Sequence, residues 1–404
     1  MPDFSVQNSK RESCKHMKKV AVFVLLAAFA AIPAAAEKPF HLVASETLSY
    51  DDNIYLTDKS KKDSFISTTR VGADYQANIP STGLKLAADA GVGYNAYTEN
   101  HDKNNYWEAL GGFGISNDQF QLGDRVLYTS DPANNELTDR KKRLNNTGYF
   151  SYVTSHEKMF GLGILASDSF DHYYEADMKY LNRNRLNLGA QLYYNMTAKT
   201  HFFAEYIYSD IAYQETVGKL NNSHAHSVGL GVDGQIASKV TGMAKITYDM
   251  RDYDKDPAGY DKYNDLLGYY VALTWKPSTR DTLTLSGTRK MEETRYGTNR
   301  YFADTVVSLY GAHKLTDKFT ASLNLAWEDM AYAKRVNNVK RDDTLWTVRP
   351  ELDYQFKEWL SAGVWYQLRL RDSNARRGND GTIHANESYD YASNKAGIFV
   401  KAVF

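Results

Sequence analysis

Three groups of residues in this 404-residue chain have types and spacings that could do chemistry. Asp51, Asp52 and Asn53 offer clustered oxygens to a calcium ion. Each also suits a polar strand end, where Asp and Asn favour the turn that follows. In DYDKDPAGYDKY, Asp252, Asp254 and Asp256 have the spacing that opens an EF-hand loop. That loop needs glycine where Pro257 stands and a bidentate glutamate where Tyr263 stands, so it is broken. A loose ion site is the most these carboxylates offer.

His224 and His226, in NNSHAHSVGLGVDG, share one strand face with Val228 and Leu230. A metal site or a hydrolase triad needs a carboxylate and a nucleophile held beside such histidines. Serines and aspartates abound, but no nucleophile elbow or metalloprotease helix motif accompanies them. GGFGIS at 111–116 is a run of small residues within a strand, with no following helix to make a phosphate loop. The lone Cys14 precedes an apolar run and has no partner thiol. No catalytic residue, metal or cofactor is expected; a lipase- or protease-like hydrolase ranks third among the readings.

The more informative residues are charged ones repeated along alternating stretches. Arg70, Asp74, Lys85, Asp89 and Glu205 stand opposite apolar neighbours, as do Lys245, Asp249, Arg251, Arg349 and Glu351. Asp353, Arg369, Arg371, Lys395 and Lys401 complete the set. Both signs occur, often two residues apart. Such a face could line a wet passage and select solutes by charge, or could be filled by ion pairs that only stiffen the chain.

The elements that present these residues are strands. In FTASLNLAW, Phe319, Ala321, Leu323, Leu325 and Trp327 share one face, while Thr320, Ser322 and Asn324 share the other. In LSAGVWYQLRL, Val364 and Leu368 oppose Gln367 and Arg369. Alternate side chains point to opposite sides of a strand, so each stretch has one apolar and one wet face. Eighteen stretches read this way: 41–55, 63–79, 84–99, 105–117, 119–131, 143–155, 158–174, 183–196, 200–214, 223–237, 240–254, 263–277, 281–296, 301–315, 318–332, 342–357, 360–374 and 388–404.

Connection lengths alternate too. PSTG at 80–83, TAK at 197–199, ASK at 237–239 and TD at 316–317 are tight. The segments near 132–143, 333–341 and 373–387 are longer and polar. Short turns at one end and long loops at the other, with an even strand count, describe an up-and-down antiparallel β-barrel of the outer membrane. A soluble sandwich would turn its apolar residues inward and use more proline and glycine turns. A propeller or solenoid would show a fixed repeat. Composition agrees: there are 31 tyrosines, 26 glycines and only 8 prolines, and the mean hydropathy is −0.55. Net charge is −1, so there is no electrostatic case for nucleic acid.

MKKVAVFVLLAAFAAIPAAAEKPF has the charged, apolar and small-residue order of a secretory signal peptide. Residues 1–36 are the expected signal region, cleaved between Ala36 and Glu37, with Met17 as the start and 1–16 upstream of it. Residues 37–404 are the expected barrel. At the other end, Phe404, Ala402, Val400 and Ile398 form an apolar face closed by an aromatic. This pattern resembles the signal read by outer-membrane insertion machinery. A chain of this kind would meet outer-membrane lipids and lipopolysaccharide, the latter through cations bridged by its external acidic residues.

Near the mature N-terminus, SETLSYDDNIYLTDKSKKDSFISTTRVGADYQANI gives a strand ending Tyr50-Asp51-Asp52-Asn53-Ile54-Tyr55, a short charged loop, and a long second strand. This opening resembles the type-2 beta-barrel porins, outer-membrane barrels of Gram-negative bacteria. The resemblance implies an outer-membrane channel. Some relatives are associated with exopolysaccharide export, so polysaccharide-export components are implied partners.

The expected function is a porin-like channel or export pore for hydrophilic solutes, including sugar-like ones. External loops such as 131–142 and 372–387 would narrow or gate it. The competing class is a plugged barrel that presents loops to its surroundings.

Overall fold

The structure is a computed structural model that describes residues 39–154, 157–215, 218–294, 296, 298–336, 338–376 and 388–404. Eighteen strands run in sequence. They are β1 (Phe40–Asp51), β2 (Ser64–Ile79), β3 (Leu84–Tyr97), β4 (Tyr106–Ser116), β5 (Phe120–Thr129) and β6 (Arg143–Val153). Next come β7 (Phe160–Tyr173), β8 (Arg183–Asn195), β9 (Thr200–Tyr213), β10 (Ser223–Ala237), β11 (Val240–Tyr253) and β12 (Tyr263–Trp275). The last are β13 (Asp281–Glu293), β14 (Tyr301–Lys314), β15 (Phe319–Val336), β16 (Val339–Lys357), β17 (Leu360–Ser373) and β18 (Tyr391–Val403).

Each strand pairs antiparallel with its sequence neighbour, and β1 also pairs with β18, so the sheet closes on itself. Closure removes both edges, which a sheet in hydrocarbon requires because lipid offers no partner to a free backbone group. The seam is sealed at its far end by Leu42 and Phe404, which exchange both backbone hydrogen bonds (3.0 and 2.9 Å). The Phe404 ring stacks on Trp359 at 5.5 Å.

The side chains sort as alternation requires. Leu323, Leu325 and Val364 point outward and are exposed, as lipid-facing residues are. Inward positions are crowded in places, and small residues make room there. Phe399 lies over Gly363 and Trp365 over Gly397; a Cβ at either glycine would meet the ring at 2.5 and 2.7 Å. The tight turn 80–83 uses Gly83 at φ +67°, where its N–H donates to Ile79 O.

Two departures from the sequence reading stand out. The segment 333–341 is not a long loop. β15 and β16 extend through it as a projecting hairpin, with Val336 opposite Val339 and a register shift between Ala331 and Arg335. Asn338, at φ +65°, supplies the left-handed turn residue that asparagine tolerates. Strands above the membrane can be polar on both faces, so their composition mimics a loop. Second, Glu46 falls on the outward, apolar face of β1, four residues from Tyr50 and six from Phe40. It is held there by hydroxyls from Ser67 (2.6 Å) and Thr69 on the neighbouring strand.

Candidate functional site

The segment 130–142, between β5 and β6, turns into the barrel and reaches its far wall. In a ring of eighteen strands, β6 and β15 stand nine apart by either route. Yet Asn135 meets β15 and β17. Its amide nitrogen donates to Glu328, its amide oxygen accepts from Arg369 (2.8 Å), and its carbonyl accepts from Arg371 (2.8 Å). The next residue, Glu136, is 7% exposed and accepts from Thr294 and from Tyr332 OH (3.2 Å). Leu137 packs on Tyr173 and Met178, and Arg140 donates to Ile54 O (3.1 Å) while lying 4.6 Å from the Tyr97 ring centre. The segment is therefore pinned at three points across the lumen.

Dense polar networks flank it. Glu293 receives Arg183, Arg185 (2.6 Å) and Arg251 (3.1 Å), three guanidiniums on one carboxylate. β13 can reach them because it pairs with β12 only over Leu283–Arg289, leaving its outer end unpaired on that side. Asp343, fully buried, binds Arg341 (2.7 Å), Arg371 and Ser373. Arg341 is boxed by the rings of Tyr296, Tyr332 and Tyr389 at 4.8, 4.6 and 3.5 Å. In the β13–β14 connection, burial raises the Tyr296 phenol above its usual pKa and lowers the Arg300 guanidinium below its own.

Beside and beneath the inserted segment lies a cavity of about 730 Å³. Its cations are Arg70, Arg140, Arg349, Arg369 and Lys395, and its carboxylates are Asp51, Asp131 and Glu351. Arg70 is paired with Glu108, and Arg349 with Glu351 (3.0 Å). Trp365 sits between Arg349 (4.4 Å from the ring centre) and Lys395 (6.0 Å).

Strand alternation puts the fifteen charged residues singled out from sequence on the face opposite the exposed apolar side chains, and of them Arg70, Arg349, Glu351, Arg369 and Lys395 line this cavity. Glu205, Arg251 and Arg371 are buried in polar contacts with Gln191 and Lys245, Glu293, and Asp343 respectively. Asp74 meets His41 (3.2 Å), Lys85 meets Asp118 (3.9 Å) and Asp89 meets Arg125 (3.8 Å). Asp249 accepts from Thr247 (3.3 Å), while Asp353 and Lys401 lie near the tight-turn end of β16 and β18. Sequence reasoning missed Arg140, Asp131 and Glu136, because a loop carries no alternation to say that it enters the barrel.

Asp51, Asp52 and Asn53 work as a clasp. Asp51 accepts from Asn53 N (3.0 Å) and Ser393 Oγ (3.2 Å), Asp52 accepts twice from Asn394 (2.7 Å each), and Asn53 donates to Thr57 O and Ala392 O. Their oxygens are used within the protein, tying β1 to β18. His224 and His226 lie on the outer face near the rim, bonded to Tyr208 (2.9 Å) and Tyr206 (2.7 Å), with Asp210 3.0 Å and Asp254 3.5 Å from His224. The cleavage site Ala36–Glu37 and most of the loop 372–387 lie outside the described residues.

The family described as "Putative beta-barrel porin 2" matches residues 41–385. No curated protein matches the sequence. Among solved structures, Pseudomonas aeruginosa OpdL is similar at 11% identity, covering 91% of this chain and 98% of its own, with a TM-score of 0.47. OccAB4 of Acinetobacter baumannii is 11% identical, covers 91% and 99%, and scores 0.46. Pseudomonas aeruginosa OpdK with vanillate is 9% identical, covers 90% and 99%, and scores 0.49. With a closed eighteen-stranded barrel and a family match over most of its length, the chain belongs to the beta-barrel porin 2 family, a porin-like barrel of the Gram-negative outer membrane.

Proposed function

We propose that the protein is a passive channel for hydrophilic solutes, narrowed by segment 130–142 and working without a catalytic cycle. The observation that carries this reading is the wet, charged cavity beside a segment pinned across the lumen. A barrel that served only as a scaffold has no need of unfilled polar space next to an inserted loop. Barrels of 16–18 strands are wide enough to leave an aqueous path. The fifteen inward charges would set its field, with the cavity group nearest the narrowed region. Hydroxyl and amide groups in the lining, among them Thr47, Ser49, Asn95 and Gln367, suit sugar-like solutes, and a polysaccharide passing as a single extended chain belongs to that class. Export components would then be its partners.

The second reading is a plugged barrel. It is favoured by the Glu293 and Asp343 networks, which fill the interior near the loop-bearing end. Ionic current through the purified protein in a planar bilayer separates the two. Discrete conductance steps support the channel; their absence supports the plug.

A further inference from the structure

We propose that the cavity beside segment 130–142 is a binding site for an acidic sugar. This rests on the channel reading and names its solute class. The register assembles the site. Lys395 on β18 is opposite Gln367 on β17, and Ser393 is opposite Arg369. On β16, Arg349 falls between Thr347, opposite Arg369, and Glu351, opposite Trp365, which brings it beside Gln367. Three cations thus surround one amide on adjacent strands, and Arg140 arrives from the inserted segment.

The state of these cations gives the ligand its charge. Arg70 and Arg349 have carboxylate partners. Arg140, Arg369 and Lys395 have none within ion-pair distance among the described residues. Arg140 donates to Ile54 O and the Asn104 amide oxygen, Arg369 donates to the Asn135 amide oxygen, and Lys395 lies over the Trp365 ring at 6.0 Å. Neutral partners leave these three cations without a direct ion pair, although Asp51 stands opposite Lys395 on β1. The cavity's free carboxylates are Asp51 and Asp131, each already served by neutral donors: Asn53 N and Ser393 Oγ for Asp51, and Tyr106 OH (2.7 Å) for Asp131. Three unpaired cations against two carboxylates leave the site positive, and two of the three, Arg369 and Lys395, stand beside Gln367.

The remaining lining says what the anion is attached to. Hydroxyls and amides both donate and accept, as sugar hydroxyls do, and Thr47, Ser49, Thr68, Asn95 and Gln367 supply them here. The volume of about 730 Å³ is in the range of small-molecule sites, about 300–1,000 Å³. A carboxylate would take Lys395 and Arg369, replacing the weaker contact of Arg369 with a neutral amide, while ring hydroxyls meet the amide and hydroxyl lining.

The test is isothermal titration of the full barrel in detergent with sodium glucuronate, sodium acetate and glucose. Glucuronate should bind at least tenfold more tightly than either of the others. Lys395→Gln and Arg369→Gln should each weaken glucuronate at least tenfold, while Lys59→Gln, in the exposed β1–β2 loop, should not. Equal binding of glucose and glucuronate, or of acetate and glucuronate, would overturn the proposal even if a variant failed to fold. Glucuronate binding without bilayer conductance would sink the channel and leave the site; conductance without binding would do the reverse.

Discussion

Asn135 and Arg369 are joined by a 2.8 Å hydrogen bond although Asn135 lies in the segment between β5 and β6 and Arg369 on β17, six strands from β5 around the ring, the guanidinium donating to the amide oxygen. The bond fixes the inserted segment over the cavity with a neutral contact rather than an ion pair. Glu136 supplies the buried anchor one residue on.

Removing that anchor should loosen the segment and leave the wall intact. Glu136→Ala strands the hydroxyls of Thr294 and Tyr332, a loss of about 1–3 kcal/mol for buried unsatisfied groups. Limited proteolysis of the folded barrel should then cut within 130–142 several-fold faster than in wild type. Equal rates would mean that Glu136 does not hold the segment.

The two faces of the wall can be tested by charge. Leu323→Arg or Val364→Arg puts a guanidinium into hydrocarbon and should cost about 2–4 kcal/mol near the midplane. The fraction of barrel that resists unheated electrophoresis should fall. Arg369→Glu, on the inner face, should leave that fraction nearly unchanged. The opposite pattern would invert the assigned register.

Asp343 neutralises Arg341 and Arg371, and all three side chains are buried. Asp343→Ala leaves two buried guanidiniums unpaired and should destabilise the barrel by about 3–5 kcal/mol. Urea unfolding from detergent or bilayer would show a lowered midpoint with an unchanged slope. A midpoint within error of wild type would remove this network from the account of stability.

Deleting Phe404 removes its stacking on Trp359 and the end of the β1–β18 seam. Assembly into outer membranes should fall while the exported chain still accumulates. Undiminished assembly would show that seam closure does not depend on the terminal aromatic.

The wall was legible because alternation is local. The apolar period of Leu323, Leu325 and Trp327 specifies a face without knowledge of the rest of the chain. The interior was legible only in part. Alternation places Arg251 and Arg371 inward but cannot show that Glu293 and Asp343 bury them, since those contacts join distant strands. Glu46 breaks the period outright, and its support by Ser67 and Thr69 emerges only once β1 and β2 are in register. The sequence marked 131–142 as a long polar loop that would narrow the barrel, but nothing in Asn135 or Glu136 told which wall residues they would meet.

The most direct test of the channel is single-channel recording from wild type and Glu136→Ala in planar bilayers. On the proposed function, the segment pinned by Asn135 and Glu136 narrows a continuous wet path, and both proteins should then show discrete current steps. The variant's steps should be larger, by about the cross-section the segment withholds. Silent bilayers for both proteins, with folded barrel shown to be present, would contradict the account and leave a plugged barrel in its place.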